Sequence, residues 1–296
     1  MDNYESRNRY PIHFENGFLS IAIKTVEQKI SQGLDHTKPL PQWRCGRNPF
    51  PDNDILVCTN GIVHLISGTI EPNTPDYINS YGTNYAFDMG AKDSLWDHQL
   101  RRGWEFADDA VSTIQQFYGL TTVYDTSHQK MLLDKGPTRS GKGVRTRVLA
   151  KINGNDSVIF ASFKDLTGGF PFQDWIGARI VIFPDERISE KIDVQTAIGY
   201  LLRITGADGM SVKIKYAKKD VSTVLQVRVV IATNQALKLP DSASAVFART
   251  IALEGKKSWL GQEDEDLGDK LCHRAPAILN WARQGLIDLR TSGQHS

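Results

Sequence analysis

Residues 136–142, Gly-Pro-Thr-Arg-Ser-Gly-Lys, fit the pattern GxxxxGK. Two glycines let the backbone curl so that successive N–H groups face phosphate oxygens, and a lysine placed next can reach the β- and γ-phosphates. The segment follows the apolar run Lys130–Leu133 and opens a helical stretch at Lys142, whose positive end adds to the attraction. A glycine-rich turn with an incidental lysine is the bland alternative, and the flanking strand and helix weigh against it. Gly136, Pro137, Thr138, Arg139, Ser140, Gly141, Lys142, Gly143 and Val144 are therefore the expected nucleotide-binding loop, with ATP as ligand. One position departs from the pattern. The residue after the lysine usually supplies a Ser or Thr hydroxyl to Mg²⁺, but here Gly143 is followed by Val144. Thr146 is not evidently placed to substitute, so either water and an acid complete the metal shell or hydrolysis is weak.

Three further positions suit such a loop. Arg179–Phe183 is an apolar strand running through Pro184 into Asp185 and Glu186, about 40 residues after the lysine. A carboxylate there holds Mg²⁺ and polarises the attacking water, with Asp185 nearer the metal and Glu186 a candidate base. An ordinary strand-end turn is the alternative. Gln226–Ala232 is a second apolar strand, ending in Thr233 and Asn234, and an Asn at such an end can orient water against the γ-phosphate. Arg249, fifteen residues on, could project into a neighbouring subunit's site and stabilise transition-state charge. A lone arginine at a helix end is otherwise a solvated cap.

Residues 211–216, Ser-Val-Lys-Ile-Lys-Tyr, alternate strictly, with Val212, Ile214 and Tyr216 on one face and Lys213 and Lys215 on the other. Lys218 and Lys219 follow at the expected tip. Four lysines on one hairpin could track a phosphate backbone without reading bases; gatekeeper lysines on a soluble hairpin would look the same.

The elements that must position these residues divide near residue 110. Before it, Pro, Gly, Asn and aromatics are interspersed, as in Lys38–Trp43, Asn48–Pro51 and Glu71–Pro75, and imply short strands and turns. Ile55–Cys58 and Ile62–Ile66, separated by Thr-Asn-Gly, read as a hairpin. Helical periodicity spans Trp96–Tyr118 through Trp104, Ala107, Ala110, Val111 and Ile114. Beyond about 120, strands at 130–133, 157–161, 179–183, 226–232 and 250–253 alternate with helices at 142–152, 191–204 and 275–289. That order predicts an α/β fold with a mainly parallel central sheet covered by helices, preceded by a small α+β domain at residues 1–110.

Composition excludes some partners. With 35 Lys and Arg against 34 Asp and Glu, the chain is not a wholly basic nucleic-acid binder, although a local basic patch is compatible. Cys45, Cys58 and Cys272 form neither a zinc-type pair nor a disulfide framework, which fits a reducing cytoplasm. No run approaches the roughly 20 apolar residues of a membrane span, and Met1–Arg9 lacks a signal-peptide core, so a soluble cytoplasmic protein with no membrane partner is expected.

The order of these parts resembles the superfamily-3 helicase domain of phage and plasmid primase–helicases, the poxvirus-type group within the AAA+ P-loop ATPases. The resemblance covers nearly the whole chain: Cys58–Thr69 and Pro72–Asp76 ahead of the motor, then the phosphate loop, Leu201–Asp208, Ala232–Gln235, Leu239–Asp241 and Ala277–Leu286. It implies a collar at residues 1–110 and a motor at 111–296. By it, Lys142 binds phosphate, Asp185 and Glu186 are the Walker B acids, Asn234 is the polar sensor and Arg249 is a finger supplied across a ring. Lys213, Lys215, Lys218 and Lys219 become the DNA-facing hairpin of a homo-hexamer threading single-stranded or forked DNA with ATP and Mg²⁺. The family often has Thr where Val144 stands, and an acid where His273 and Arg274 stand. No primase site or C-terminal winged helix is visible, so a separate primase or origin-binding protein is the expected partner. Two other readings remain: a catalytically weak module for DNA binding or ring assembly, and an unrelated P-loop small-molecule kinase.

Overall fold

The computed structural model describes residues 40–44, 49–168, 171–184, 193–215, 220–234 and 244–292. In chain order the strands are β1 (Gln42–Trp43), β2 (Ile55–Cys58), β3 (Gly61–His64), β4 (Ile70–Glu71), β5 (Tyr77–Ile78), β6 (Met131–Lys135), β7 (Val158–Phe160), β8 (Ile180–Phe183), β9 (Gly209–Val212), β10 (Val221–Val224), β11 (Arg228–Thr233) and β12 (Thr250–Glu254). The helices are α1 (Leu95–His98), α2 (Asp108–Thr121), α3 (Lys142–Asn153), α4 (Val194–Thr205), α5 (Ser244–Ala248), α6 (Leu267–Cys272) and α7 (Ala275–Ser292).

Five of these strands form one parallel sheet in the order β12-β6-β11-β8-β7. Their sequences are almost continuously apolar because both faces are covered. Alternation divides each strand between the faces. Leu132, Ile180, Ile182, Val230 and Leu253 pack with α3 and with aromatic residues of α1, α2 and the turn between them. Met131, Val181, Phe183, Val229 and Ile231 pack on the other face with α4, the β9–β10 hairpin and residues 161–178. The expected α/β class, with a parallel sheet between helices and a small antiparallel portion ahead of it, is the one observed.

That antiparallel portion holds the β2-β3-β4 meander and the β1-β5 pair. Leu56, Cys58, Val63 and Leu65 share a core with Leu120 and Val123 and with Leu279, Leu286 and Leu289 of α7. The anticipated hairpin is therefore present, fixed to α2 and α7. Those two helices cross closely at Gly119 and Gly285, where a Cβ would strike the backbone of Ala282 and of Gln115 respectively.

The helix anticipated over Trp96–Tyr118 is divided. After α1, residues Gln99–Gly103 form a π-helical turn; the chain then bends through Trp104–Ala107, with Glu105 at φ 57°, before α2 begins. The periodicity still reports burial, since Trp96, Trp104, Val111, Ile114 and Tyr118 all enter one core.

Candidate functional site

In a parallel sheet, connections leaving the C-terminal strand ends splay apart and leave room for a ligand between them. Here β11 lies between β6 and β8. The loop after β6, Asn234 after β11 and Pro184 after β8 all line one cleft of about 970 Å³, large enough for a nucleotide.

The loop at residues 136–141 is built for close backbone approach. Gly136 donates its N–H to Thr233 O at 3.1 Å, tying the loop to the end of β11. Gly141 caps α3 in the left-handed region (φ 83°), and a Cβ there would collide with the Trp104 indole. Arg139 is also left-handed, at φ 61°, an uncommon conformation for a side chain of its size. A strap at residues 255–263 holds it: Trp259 N–H donates to Arg139 O at 3.0 Å, Ser258 Oγ donates to Thr138 O at 2.8 Å, and the Arg139 guanidinium lies 3.2 Å from Glu263. Lys142, buried at the start of α3, donates from Nζ to Gly136 O and Pro137 O, both at 2.8 Å, and lies 3.2 Å from Ser140 Oγ. Its ammonium thus sits inside the curl of the loop.

A residue pair absent from the sequence reading holds this loop from behind. Arg145, one turn into α3, makes a two-pronged ion pair with Asp134 of β6, at 2.8 and 2.7 Å, and donates to Ser140 O at 3.0 Å. Both side chains are almost fully buried. The guanidinium lies 4.8 Å from the ring centre of Trp104 and 5.2 Å from that of Phe106. Strand, loop and helix are therefore joined across the bend. The available signal was a carboxylate at the end of an apolar strand with an arginine in the helix beyond the loop.

Position 143 carries no hydroxyl, and a Cβ there would meet nothing within 4 Å. Val144 packs against the core, while the Thr146 hydroxyl is buried and donates to Gly143 O at 3.1 Å. Among the described residues no group of three or more His, Cys, Asp and Glu side chains could hold a metal. The loop therefore offers no hydroxyl at the position after the lysine, where such loops usually ligate Mg²⁺. Asp185 and Glu186, the expected acids, lie outside the described residues, although the strand that leads to them ends in the cleft at Pro184.

Arg249 is elsewhere. It precedes β12, whose Thr250 pairs with Met131 and Glu254 with Lys135, so it sits at the end of the sheet opposite the loop at residues 136–141. Its Nη1 donates to Leu202 O at 2.7 Å and lies 3.2 Å from Thr205 Oγ1, closing the C-terminus of α4. In the hairpin, Met210 and Val212 are buried while Ser211, Lys213 and Lys215 are exposed, so the expected alternation continues beyond the paired strands. Tyr216, Lys218 and Lys219 lie outside the described residues. No described helix is long and apolar enough to cross a membrane.

A family of unknown function, DUF5906, matches residues 135–249, less than half of the chain, from the end of β6 to Arg249. No curated protein matches. The apo structure of the NrS-1 C-terminal region (305–718) is similar with a TM-score of 0.53 at 14% identity, covering 73% of this chain and 56% of that one. The A-form apo structure of the same region gives 0.52 at 15% identity, with the same coverage. The chain thus spans a little over half the length of these structures, and at such identities the likeness is one of fold.

Proposed function

We propose that this chain is an ATP-driven DNA motor of the superfamily-3 helicase type, acting in phage or plasmid replication. The observation that carries the reading is convergence: the phosphate loop, Asn234 and the end of the strand leading to Asp185 all face one cleft. The fold likeness to the NrS-1 C-terminal region supports it. In this reading Lys142 and the loop N–H groups bind the triphosphate, the charge-stabilising part of phosphoryl transfer. Asn234 orients water, Asp185 is the protein's ligand to the Mg²⁺ that accompanies the nucleotide, and Glu186 is the base. Lys213, Lys215, Lys218 and Lys219 face single-stranded DNA. Residues 1–110 act as a collar, and Arg249 serves a neighbour's nucleotide in a homo-hexameric ring, with a separate primase or origin-binding protein as partner in the host cytoplasm.

The test is phosphate release with Mg²⁺ and single-stranded DNA. DNA should stimulate hydrolysis by the wild-type chain, and Lys142→Ala should reduce it at least 100-fold while leaving DNA binding intact. A wild-type chain that binds DNA but releases no phosphate would exclude an active motor. It would favour the second reading, a catalytically weak module for DNA binding or ring assembly, which the missing hydroxyl at Gly143 and the tethered one of Thr146 support.

A further inference from the structure

Four Lys and Arg side chains line the cleft: Arg102, Arg139, Lys142 and Arg147. Three are engaged. Lys142 donates to loop carbonyls, Arg139 faces Glu263, and Arg147 lies 3.5 Å from Asp269. Arg102 is exposed, and its guanidinium makes no hydrogen bond or ion pair among the described residues. Its neighbour Arg101 shows the contrast, being held by Asp97 and Asp108.

The backbone carrying Arg102 is also unusual. It belongs to the π-helical turn Gln99–Gly103, a geometry that is rare and concentrated at functional sites. That turn is fixed against the phosphate loop at several points. Trp104, two residues on, packs its indole against Gly141, and Trp259 Nε1 donates to Gly103 O at 3.1 Å from the strap that also binds Arg139 O. Lys257, in the same strap, pairs with Glu105 at 2.6 Å. A fixed backbone therefore presents a free guanidinium to the cleft that holds the loop. Planar, permanently charged and five-fold donating, guanidinium suits phosphate oxygens particularly well.

We propose that Arg102 is a second cation on the triphosphate, supplied by the same chain from the π-helical turn that packs against the loop carrying Lys142. This rests on the nucleotide reading of the cleft and assigns the π-helical turn a role in holding the ligand.

The experiment is a titration of the full chain with a fluorescent ATP analogue, followed by competition with ATP, ADP and adenosine. Arg102→Ala should weaken ATP binding on the order of 10-fold, the loss of one charge-assisted hydrogen-bonding contact. It should weaken ADP less and leave adenosine unchanged, and Arg102→Lys should recover part of the loss. The thermal midpoint without nucleotide should match wild type, because the side chain holds nothing in the fold. An equal loss for ATP and adenosine would place the contact on the nucleoside and overturn the proposal, as would no loss at all. A loss confined to single-stranded DNA binding would assign Arg102 to the polynucleotide instead. Failure of the wild-type chain to bind ATP would remove the nucleotide reading itself, a result distinguishable from all of these.

Discussion

The two ends of the parallel sheet use the same kind of residue in opposite ways. At the N-terminal end, Arg179 and Arg228 are each 2% exposed. Arg179 donates to Thr122 O and Ile55 O and lies over the Tyr124 ring, while Arg228 donates to Asp125 O. Burial pushes Arg228 down to about 10, with the Asp125 charge opposing that shift. Arg249 closes α4 at the same end. These cations are used by the fold: fixed carbonyls accept from their Nη groups, while the buried Nε of Arg179 and of Arg228 has no hydrogen-bond partner among the described residues. At the C-terminal end, Lys142, Arg139, Arg147 and Arg102 border a cleft. The difference teaches that an arginine's residue type says little about function; what distinguishes it is how much of its donor capacity the fold has already used.

Arg145 breaks that division, since it stands beside the loop at residues 136–141 but is used entirely by the fold. It offers the largest expected effect. Removing one partner of a buried, hydrogen-bonded ion pair leaves the other charge uncompensated, at a cost of about 3–5 kcal/mol. Arg145→Ala should therefore destabilise the chain by about that amount in urea unfolding followed by circular dichroism. Asp134→Leu with Arg145→Met should recover most of the stability, because no buried charge is then left alone. A loss below about 1 kcal/mol for Arg145→Ala would mean that the loop stands without its rear support.

Arg249 tests the comparison from the other end. As a helix closure it contributes a charge-assisted hydrogen bond to Leu202 O, worth about 1.5–3 kcal/mol at most. Arg249→Ala should lower stability by roughly 1–2 kcal/mol. If it also serves a neighbour's nucleotide, DNA-stimulated ATP hydrolysis should fall about 100-fold or more while ATP binding persists, as expected on removing a transition-state cation. Hydrolysis equal to wild type would restrict Arg249 to the fold and exclude it from a neighbour's nucleotide site.

Much of this arrangement could be read in advance. Ile180–Phe183 and Arg228–Thr233 are strands because both faces of the sheet are covered, so a continuous apolar run signals them. The curl at residues 136–141 and the helix start at Lys142 were legible because glycine and lysine spacing states a backbone requirement directly. The turn at Gln99–Gly103 was not. Periodicity records which side chains are buried, and Trp104 remains in the core although the backbone leaves the α-helical pattern beneath it. Asp134 and Arg145 escaped for another reason. Their pairing exists only after strand, loop and helix bend back on one another, and no local rule joins positions eleven apart across such a bend. The strap at 255–263 is polar and reads as an ordinary loop; its role depends on backbone contacts to Thr138 and Arg139 that composition does not encode.

The smallest expected effect concerns the one loop position at which the C-terminal end lacks a group it could hold. A Cβ at Gly143 meets nothing within 4 Å, so Gly143→Ser adds a hydroxyl beside Lys142 without steric cost. Replacing glycine in the first turn of α3 should also raise stability by about 0.5 kcal/mol, whatever the ligand does. Nucleotide binding separates the two effects. If water stands where the loop hydroxyl would otherwise meet the cation, the serine should tighten ATP binding a few-fold with Mg²⁺ and leave it unchanged in EDTA. An identical ratio of affinities in the two buffers would show that position 143 does not approach the metal, and that its openness belongs to the outer wall of the cleft, where Arg147 and Phe160 also border open space.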